Sequence, residues 1–189
     1  STSNRATLGG MINTDASGQG SLQYGKTSYH VLGLKSVLIN GEVLETQAVN
    51  SEQFSANLTQ LNLSDYGRKL HETIFSRCKT LRPLVLSSLP QLNRFLTGYD
   101  LKNVFNEDES QFNLTRILTG SEGSLAFICE AKLNLLPIPK YRTLINIKYN
   151  SFDAALRAAP FMLEAKALSV ETVDSKVLNL AKQDIIWHS

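Results

Sequence analysis

A glycine-rich segment near the start of the chain has residue types that could bind a polar ligand. It runs T-L-G-G-M-I-N-T-D-A-S-G-Q-G from Thr7 to Gly20, and Tyr24-Gly25 follows. Glycine lets the backbone lie close to a ligand and adopt positive φ, and successive backbone N–H groups can bind phosphate oxygens. The segment therefore suits a phosphate-bearing cofactor. Glycine clusters also form ordinary turns, so composition alone leaves both interpretations open.

A second glycine loop stands directly before an alternating segment. The loop is Gly120-Ser-Glu-Gly-Ser-Leu125, and in the run that follows, apolar residues alternate with polar ones up to Pro137. This period of two predicts a half-buried strand whose inward side chains are Phe127, Cys129, Ala131, Leu133 and Leu135. A glycine loop at the end of a strand is a frequent position for a ligand.

Taken in order, the motifs resemble a known family. T-L-G-G-M-I-N-T-D-A-S-G, Y-G, V-L-G-L-K-S-V-L-I-N-G-E-V-L, T-G-Y-D-L and G-S-E-G-S-L-A-F-I-C-E-A-K-L lie between Ala6 and Pro137. They are similar to the flavin-linked D-2-hydroxy-acid dehydrogenases, which include the glycolate oxidase D subunit, D-lactate dehydrogenase and D-2-hydroxyglutarate dehydrogenase. The large bacterial members that carry an iron–sulfur domain are the most similar. The resemblance implies an α+β fold, the second subdomain of a vanillyl-alcohol-oxidase type FAD-binding domain.

The resemblance also implies that FAD is the cofactor and that both glycine loops line it. The implied positions are Thr7, Gly9, Gly10, Thr14, Asp15, Ala16, Ser17, Gly18, Tyr24, Gly25, Glu122, Gly123, Ser124, Leu125, Ala126, Phe127 and Ile128. Many relatives carry Asn in place of Asp15 and Gly in place of Ala126. A carboxylate beside a pyrophosphate is unfavourable unless it turns away or pairs with a cation.

The implied reaction is hydride transfer from a D-2-hydroxy acid of the lactate, glycolate or 2-hydroxyglutarate class to flavin N5. In the family, the histidine base and any metal ligands come from later sequence, which His30 and His188 do not match. We therefore assign no catalytic residue and no metal ligand here, and expect any iron–sulfur cluster to lie outside the chain. Two alternatives stay open: the same fold in another flavoenzyme, such as an ether-lipid synthase type, and a non-enzymatic α+β module.

Composition narrows the remaining possibilities. The 189 residues carry a net charge of +2 with scattered basic residues, which does not favour nucleic-acid binding. No apolar run approaches the roughly 20 residues of a membrane span, so we expect a cytoplasmic protein, at most peripheral to the inner membrane. Cys78 and Cys129 are expected to be buried thiols. Polar ends and the missing initial Met suggest part of a longer protein, inactive alone; its electron acceptor and oligomeric state are not indicated.

Local patterns predict the elements that would position these loops. Val31 to Thr46 is typical of a hairpin around a two-residue turn at Asn40-Gly41. A helix is predicted from Ser64 to Leu81, with one apolar stripe and His71 on its solvent side. It lies in a helical insertion of about residues 47–92, where Pro83 and Pro90 bracket a short second helix or turn. The stripe consists of Tyr66, Leu70, Ile74, Cys78 and Leu81.

Shorter elements follow. Arg94 is the one basic residue near the T-G-Y-D-L motif that could approach an anion, although a surface ion pair is the simpler interpretation. Residues 106–111 are predicted to form an acidic surface loop, and residues 114–118 a helical turn.

Beyond Pro139 the pattern changes, and we predict a domain boundary near residue 140. Residues 144–149 and 167–173 are predicted to form strands, and residues 175–181 are predicted to form a helix. Ser151 can cap another helix that starts at Phe152 and is bent or interrupted at Pro160. Strand, helix and strand in this order begin a ferredoxin-like unit, so residues 141–189 are predicted to start a substrate or cap domain.

Overall fold

The computed structural model describes residues 4–61, 63–90, 92 and 98–184. The chain divides into two compact units. The first unit is Ser1–Ser17 with Lys26–Leu136, and the second is Gly18–Gly25 with Pro137–Ser189. Arg94 lies outside the described residues, so its predicted contact with an anion stays a prediction.

A four-stranded antiparallel sheet forms the centre of the first unit. Its strands are β1 (Val31–Leu38), β2 (Val43–Asn50), β3 (Gln111–Asn113) and β4 (Ala126–Leu133), in the order β3-β2-β1-β4. The predicted hairpin is confirmed as β1 and β2. The Leu38 N–H donates to the Glu42 carbonyl at 2.8 Å, which leaves a loop of three residues, 39–41, instead of two. A two-residue turn of this sequence would need positive φ at both Asn40 and Gly41, but only Gly41 has it (+84°). The Gly41 N–H donates to the Leu38 carbonyl at 2.9 Å, as in a type I turn closed by a glycine bulge.

The predicted strand after the second glycine loop is confirmed as β4, but its facing pattern is mostly wrong. Of the predicted inward side chains only Leu133 packs against the core, whereas Ala131 is exposed and Leu135, beyond the end of the strand, is 83% exposed. Ile128 and Glu130 pair with adjacent residues of β1, so Cys129 between them has no partner there. One extra residue reverses the alternation of a strand. Phe127 (73% exposed) and Cys129 therefore point outward, whereas Leu133, beyond the bulge, packs against the core. The expectation of a buried thiol at Cys129 is wrong for this reason.

Helices cover one face of this sheet. The helices of the first unit are α1 (Leu8–Asn13), α3 (Phe54–Leu58), α4 (Asp65–Ser88) and α5 (Thr115–Leu118), with a 3₁₀ turn at Thr27–Tyr29; α2 (Ser21–Tyr24) belongs to the second unit. The predicted helical turn near residue 115 is confirmed as α5. The predicted acidic loop is also confirmed, since residues 106–109 are exposed.

The long helix α4 confirms the predicted helix and its cap but differs in length and orientation. The Ser64 hydroxyl accepts from the Gly67 N–H at 3.0 Å. The helix continues through Pro83 to Ser88, so the short second helix or turn predicted between Pro83 and Pro90 is wrong. Arg82 of this helix donates to the carbonyls of Lys102 and Asn106, which precede β3, at 3.2 Å and 2.9 Å. His71 is only 1% exposed, so its predicted surface position is wrong.

The apolar stripe predicted for α4 is correct in its centre and wrong at its ends. Leu70, Ile74 and Cys78 pack against the core. Tyr66 and Leu81 are nearly half exposed, at 49% and 46%. The buried residues of α4 are instead Gly67, His71 and Arg82, and none of them belongs to the predicted apolar stripe.

Aromatic rings join α3 and α4 to the sheet. Phe75 of α4 stacks on Phe54 of α3 with ring centroids 4.1 Å apart, and both contact the ring of Phe112 in β3. Phe112 is fully buried, and Phe105 completes the cluster. The segment predicted as an insertion thus begins as strand, since residues 47–50 belong to β2, and its helices form part of the core.

The second unit contains α2, α6 (Phe152–Ala158) and α7 (Ser175–Ala181), with a 3₁₀ segment at Ala159–Ala165. The helix predictions are confirmed: the Ser151 hydroxyl caps α6, accepting from the Ala154 N–H at 3.1 Å, and Pro160 lies where the α-helix ends. The predicted strands at residues 144–149 and 167–173 are wrong for the described chain. Neither segment has a ladder partner among the described residues, and a strand requires such a partner.

Candidate functional site

The two glycine loops meet in the first unit. The N–H of Gly120 donates to the carbonyl of Ile12 at 2.9 Å, and that of Glu122 donates to the carbonyl of Asn13 at 2.8 Å. Ile12 is 1% exposed and anchors α1 in the core. Since these segments are more than a hundred positions apart in sequence, the two hydrogen bonds fix one predicted wall of the site against the other.

The threonine hydroxyls at both ends of α1 form hydrogen bonds to the backbone of the same helix. Thr7 is the N-cap, and its Oγ1 accepts from the Gly10 N–H at 3.1 Å. The Thr14 hydroxyl donates to the Gly10 carbonyl at 2.9 Å. Both side chains therefore shape the loop, and the hydroxyl of Ser17, which is exposed, has no hydrogen-bond partner among the described residues.

Asp15 turns its carboxylate into the protein. Its φ is +44°, a left-handed conformation that aspartate tolerates better than most residues. Its side chain is 1% exposed and lies 2.6 Å from Nζ of Lys26. The Ser28 N–H donates to Oδ1 at 2.8 Å. The pairing that a carboxylate needs at this position is thus present, and the charge is not presented to solvent.

The second loop presents backbone on its exposed side. Glu122 and Gly123 both adopt positive φ, at +52° and +76°. The Ser124 hydroxyl donates to the Ser121 carbonyl at 2.6 Å and lies 3.0 Å from the hydroxyl of Tyr99. The other predicted residues of this wall divide by burial: Leu125 and Ile128 pack against the core, Ala126 is buried, and Phe127 is exposed.

Two glycines of the predicted site have no packing reason to be glycine. A Cβ at Gly9 or at Gly18 would meet no atom within 4 Å, and neither residue has positive φ. By contrast, Gly123 requires its left-handed conformation, and a Cβ at Gly10 would lie 3.0 Å from the Thr7 hydroxyl. Open space above an ordinary glycine leaves room for a closely bound ligand.

The remaining predicted residues, Gly18, Tyr24 and Gly25, belong to the second unit. The N–H of Gly18 donates to the hydroxyl of Ser21 at 2.8 Å, and that of Gly25 donates to the Ser21 carbonyl at 3.0 Å. Gly25 adopts φ +80° where α2 ends. These bonds form a compact turn around α2.

Sequence reasoning missed two residues of the region. Lys26 follows the Tyr24-Gly25 motif and is 7% exposed although it is a lysine. A buried carboxylate needs a cation, and this requirement was the signal that could have identified Lys26. Tyr99 lies in the T-G-Y-D-L motif, but its contact with Ser124 crosses 25 positions and has no local signal.

No group of three or more His, Cys, Asp or Glu in the described ranges could hold a metal ion. Burial lowers the pKa of His71, which lies in the core on α4. His188 lies outside the described residues. Among the helices that the structure describes, none combines the length and apolar character needed to cross a membrane.

Comparison with protein families finds two matches on the chain. Residues 1–47 match the FAD binding domain family, and residues 138–189 match the C-terminal domain of FAD linked oxidases. The first match contains the glycine segment and the start of the hairpin. The second match covers most of the second unit.

Curated relatives match over the whole chain. A D-2-hydroxyglutarate dehydrogenase of Haemophilus influenzae is 79% identical over all of this chain, and one of Escherichia coli is 62% identical. The glycolate oxidase subunit GlcD of Bacillus subtilis is 26% identical over 92% of the chain. The chain spans 18% of the length of the two dehydrogenases. The chain thus contains, in order, one segment similar to the FAD binding domain and one segment similar to the C-terminal domain of FAD linked oxidases.

Proposed function

We propose that this chain forms part of the FAD site of a dehydrogenase that oxidises a D-2-hydroxy acid. The observation that carries the proposal is the docking of the two glycine loops by the Gly120–Ile12 and Glu122–Asn13 hydrogen bonds. This docking brings together the two segments whose sequence resembles a flavin site.

The exposed groups of the docked loops fit a dinucleotide. We assign the close approach to Gly9, where a Cβ would meet no atom within 4 Å. We assign polar contacts to the exposed Ser17 hydroxyl and to the backbone of Gly123, because the Glu122 N–H already donates to the Asn13 carbonyl. Backbone amides and hydroxyls are suitable donors for phosphate and for the polar edge of a flavin. When bound, FAD would accept the hydride from the hydroxyl-bearing carbon, and the protein would supply position and electrostatics.

We propose D-2-hydroxyglutarate as the substrate to test first, because the relatives that match the whole chain at 79% and 62% identity bear that name. The chain spans only 18% of those relatives, so we place the group that takes the hydroxyl proton in sequence beyond these 189 residues. For the same reason this chain alone should bind FAD weakly. We also place the protein in the cytoplasm.

The test uses the full-length protein. It should purify with a flavin absorption spectrum and reduce a dye with D-2-hydroxyglutarate faster than with D-lactate, glycolate or L-2-hydroxyglutarate. A colourless protein that binds no added FAD would refute the cofactor assignment. A flavoprotein that no D-2-hydroxy acid reduces would refute the reaction and favour another flavoenzyme of the same fold.

Gly9→Ala separates the ligand role of the loop from its stability. Alanine favours a helix over glycine by about 0.5–1 kcal/mol, and among the described residues the added methyl has no packing neighbour within 4 Å. We therefore expect an unchanged or higher melting temperature of the apoprotein together with an FAD dissociation constant raised about tenfold or more.

Ser76→Ala, on the exposed side of α4, is the matched control, because it also introduces alanine into a helix but lies outside both glycine loops. Its FAD affinity should equal that of the wild type. Equal FAD affinity in Gly9→Ala and the wild type would rule out a close approach at Gly9.

A further inference from the structure

The buried ion pair Asp15–Lys26 lies where the chain leaves the first unit and returns to it; we call the segment between these two points the excursion. Residues 18–25 leave the first unit after Ser17, and the chain returns to it at Lys26. At the base of the excursion the Thr27 N–H and hydroxyl both donate to the Ala16 carbonyl, at 3.1 Å and 2.8 Å. Beside them, Asp15 binds Lys26 and Ser28. We call these five residues the clamp.

The clamp is built as an internal structure and not as a ligand-binding surface. The Asp15 side chain is 1% exposed and that of Lys26 is 8% exposed. Both carboxylate oxygens are used, since Oδ2 lies 2.6 Å from the ammonium and accepts from the Ser28 hydroxyl at 3.1 Å, while Oδ1 accepts from the Ser28 N–H. Neither charge is therefore available to a bound cofactor without breaking these contacts.

The clamp lies directly beside the docked loops. Ile12 and Asn13, whose carbonyls hold the second glycine loop, precede Asp15 by two and three positions, and the Asp15 N–H donates to the Ile12 carbonyl at 3.1 Å. The same short stretch of backbone thus fixes the second loop and leads directly to Ser17, the last residue of the first unit before the excursion.

We propose that Asp15 and Lys26 are positioning residues for the cofactor site: their mutual neutralisation holds the base of the excursion in its FAD-competent shape without touching FAD. The inference rests on the proposed function. It reassigns Asp15, which the sequence placed among the residues lining the cofactor. A preorganised loop does not have to be ordered when the ligand binds, so its loss weakens affinity.

Variants that remove one charge of the pair can be compared with a variant that removes both. Asp15→Asn keeps an oxygen acceptor for the Ser28 N–H but leaves the buried Lys26 ammonium unpaired. Lys26→Met leaves the buried carboxylate unpaired. The double variant removes both charges and keeps the apolar stem, and replacing a whole buried pair is far less costly than breaking it.

The experiment titrates the full-length apoprotein with FAD, for the wild type, both single variants and the double variant. We expect each single variant to bind FAD about tenfold more weakly and the double variant to bind within about threefold of the wild type, a strong departure from additivity. Melting temperatures of the apoproteins are recorded in parallel, and titrations are done where all four are folded.

The alternatives give different patterns. If Lys26 binds a phosphate directly, Lys26→Met and the double variant bind equally weakly; if Asp15 contacts FAD, Asp15→Asn and the double variant do so. In both cases one single variant and the double variant share the same weak FAD affinity, and either result overturns the proposal. A purely structural pair lowers the melting temperatures of the single variants without changing FAD affinity, which also overturns it. A wild type that binds no FAD refutes the proposed function instead, and the positioning role with it.

The exposed ion pair Lys35–Glu130 provides a matched control. Its Nζ–Oε1 distance is 3.0 Å, but the side chains are 42% and 70% exposed. Exposed pairs contribute little, so Lys35→Met, Glu130→Gln and their double variant should all bind FAD as the wild type does.

Discussion

The buried histidine of α4 should make the stability of the fold depend on pH. His71 is 1% exposed, and its Nδ1 lies 2.9 Å from the carbonyl of Gly67. A carbonyl can only accept, so Nδ1 carries the proton of the neutral ring. Nε2 is buried and has no hydrogen-bond partner among the described residues. A second proton would therefore place an unpaired charge in the core.

The direction and the limit of the effect follow from this geometry. Burial lowers the pKa of His71 below its ordinary value of 6.5, and the Gly67 hydrogen bond offsets this only in part. Below pH 6.5 the unfolded chain binds a proton that the folded chain resists, so the free energy of unfolding falls as pH falls. The loss is at most about 1.4 kcal/mol per pH unit. The slope from His71 declines through pH 6.5 and is almost gone about one pH unit above it.

Urea unfolding of the 189-residue chain, followed by circular dichroism between pH 7.5 and 5.5, measures this slope. His71→Asn should reduce the loss of unfolding free energy between pH 6.5 and 5.5 by up to about 1 kcal/mol, because the asparagine amide can still donate to the Gly67 carbonyl but does not titrate. His30→Asn is the matched control, since His30 is only partly buried. It should leave most of the slope in place.

A wild-type slope that survives unchanged in His71→Asn would refute the reasoning. The titrating group would then lie elsewhere, and the Nε2 atom of His71 would have to be satisfied in solution.

Two further variants test the packing of the first unit. Arg82→Met should destabilise the fold by about 2–4 kcal/mol, measured by urea unfolding, because Arg82 is 7% exposed, pairs with Glu109 at 2.8 Å and lies over the ring of Phe105. Gly33→Ala should cost about 1–3 kcal/mol in the same assay, since its Cβ would lie 3.0 Å from the backbone carbonyl oxygen of Thr46.

Matched controls distinguish these effects from a general loss of charge or of glycine. Arg77→Met removes an exposed arginine from the same helix and should change stability by less than about 0.5 kcal/mol. Gly9→Ala adds the same methyl as Gly33→Ala in open space. Destabilisation in either control equal to that of its partner variant would contradict the packing argument.

Local signals in the sequence were sufficient for most elements. The Asn40-Gly41 turn between β-branched runs predicted the β1–β2 hairpin, although the loop has one more residue than expected. Serine caps predicted where α4 and α6 begin, and both hydroxyls accept the expected N–H. These signals are reliable because caps and turns involve residues three or four positions apart.

The sequence was a poorer guide to which side chains of β4 and α4 point into the core. A single unpaired residue at Cys129 reversed the first half of β4, and no local pattern announces such a bulge. The α4 stripe gave the centre of the packed face but not its edges, because His71 and Arg82 are buried by polar contacts that an apolar pattern does not record. The strands predicted in the second unit failed because strand formation depends on a partner, not on alternation alone.

By itself the sequence determined the family resemblance, the FAD assignment and the two glycine loops. Only the tertiary structure decided that the loops meet, that Asp15 is paired with Lys26, and that Tyr99 reaches Ser124. The reason is physical. Turns, caps and motifs are set by neighbours along the chain, whereas burial and charge pairing are set by residues that folding brings together, and their energies depend on how completely water is excluded.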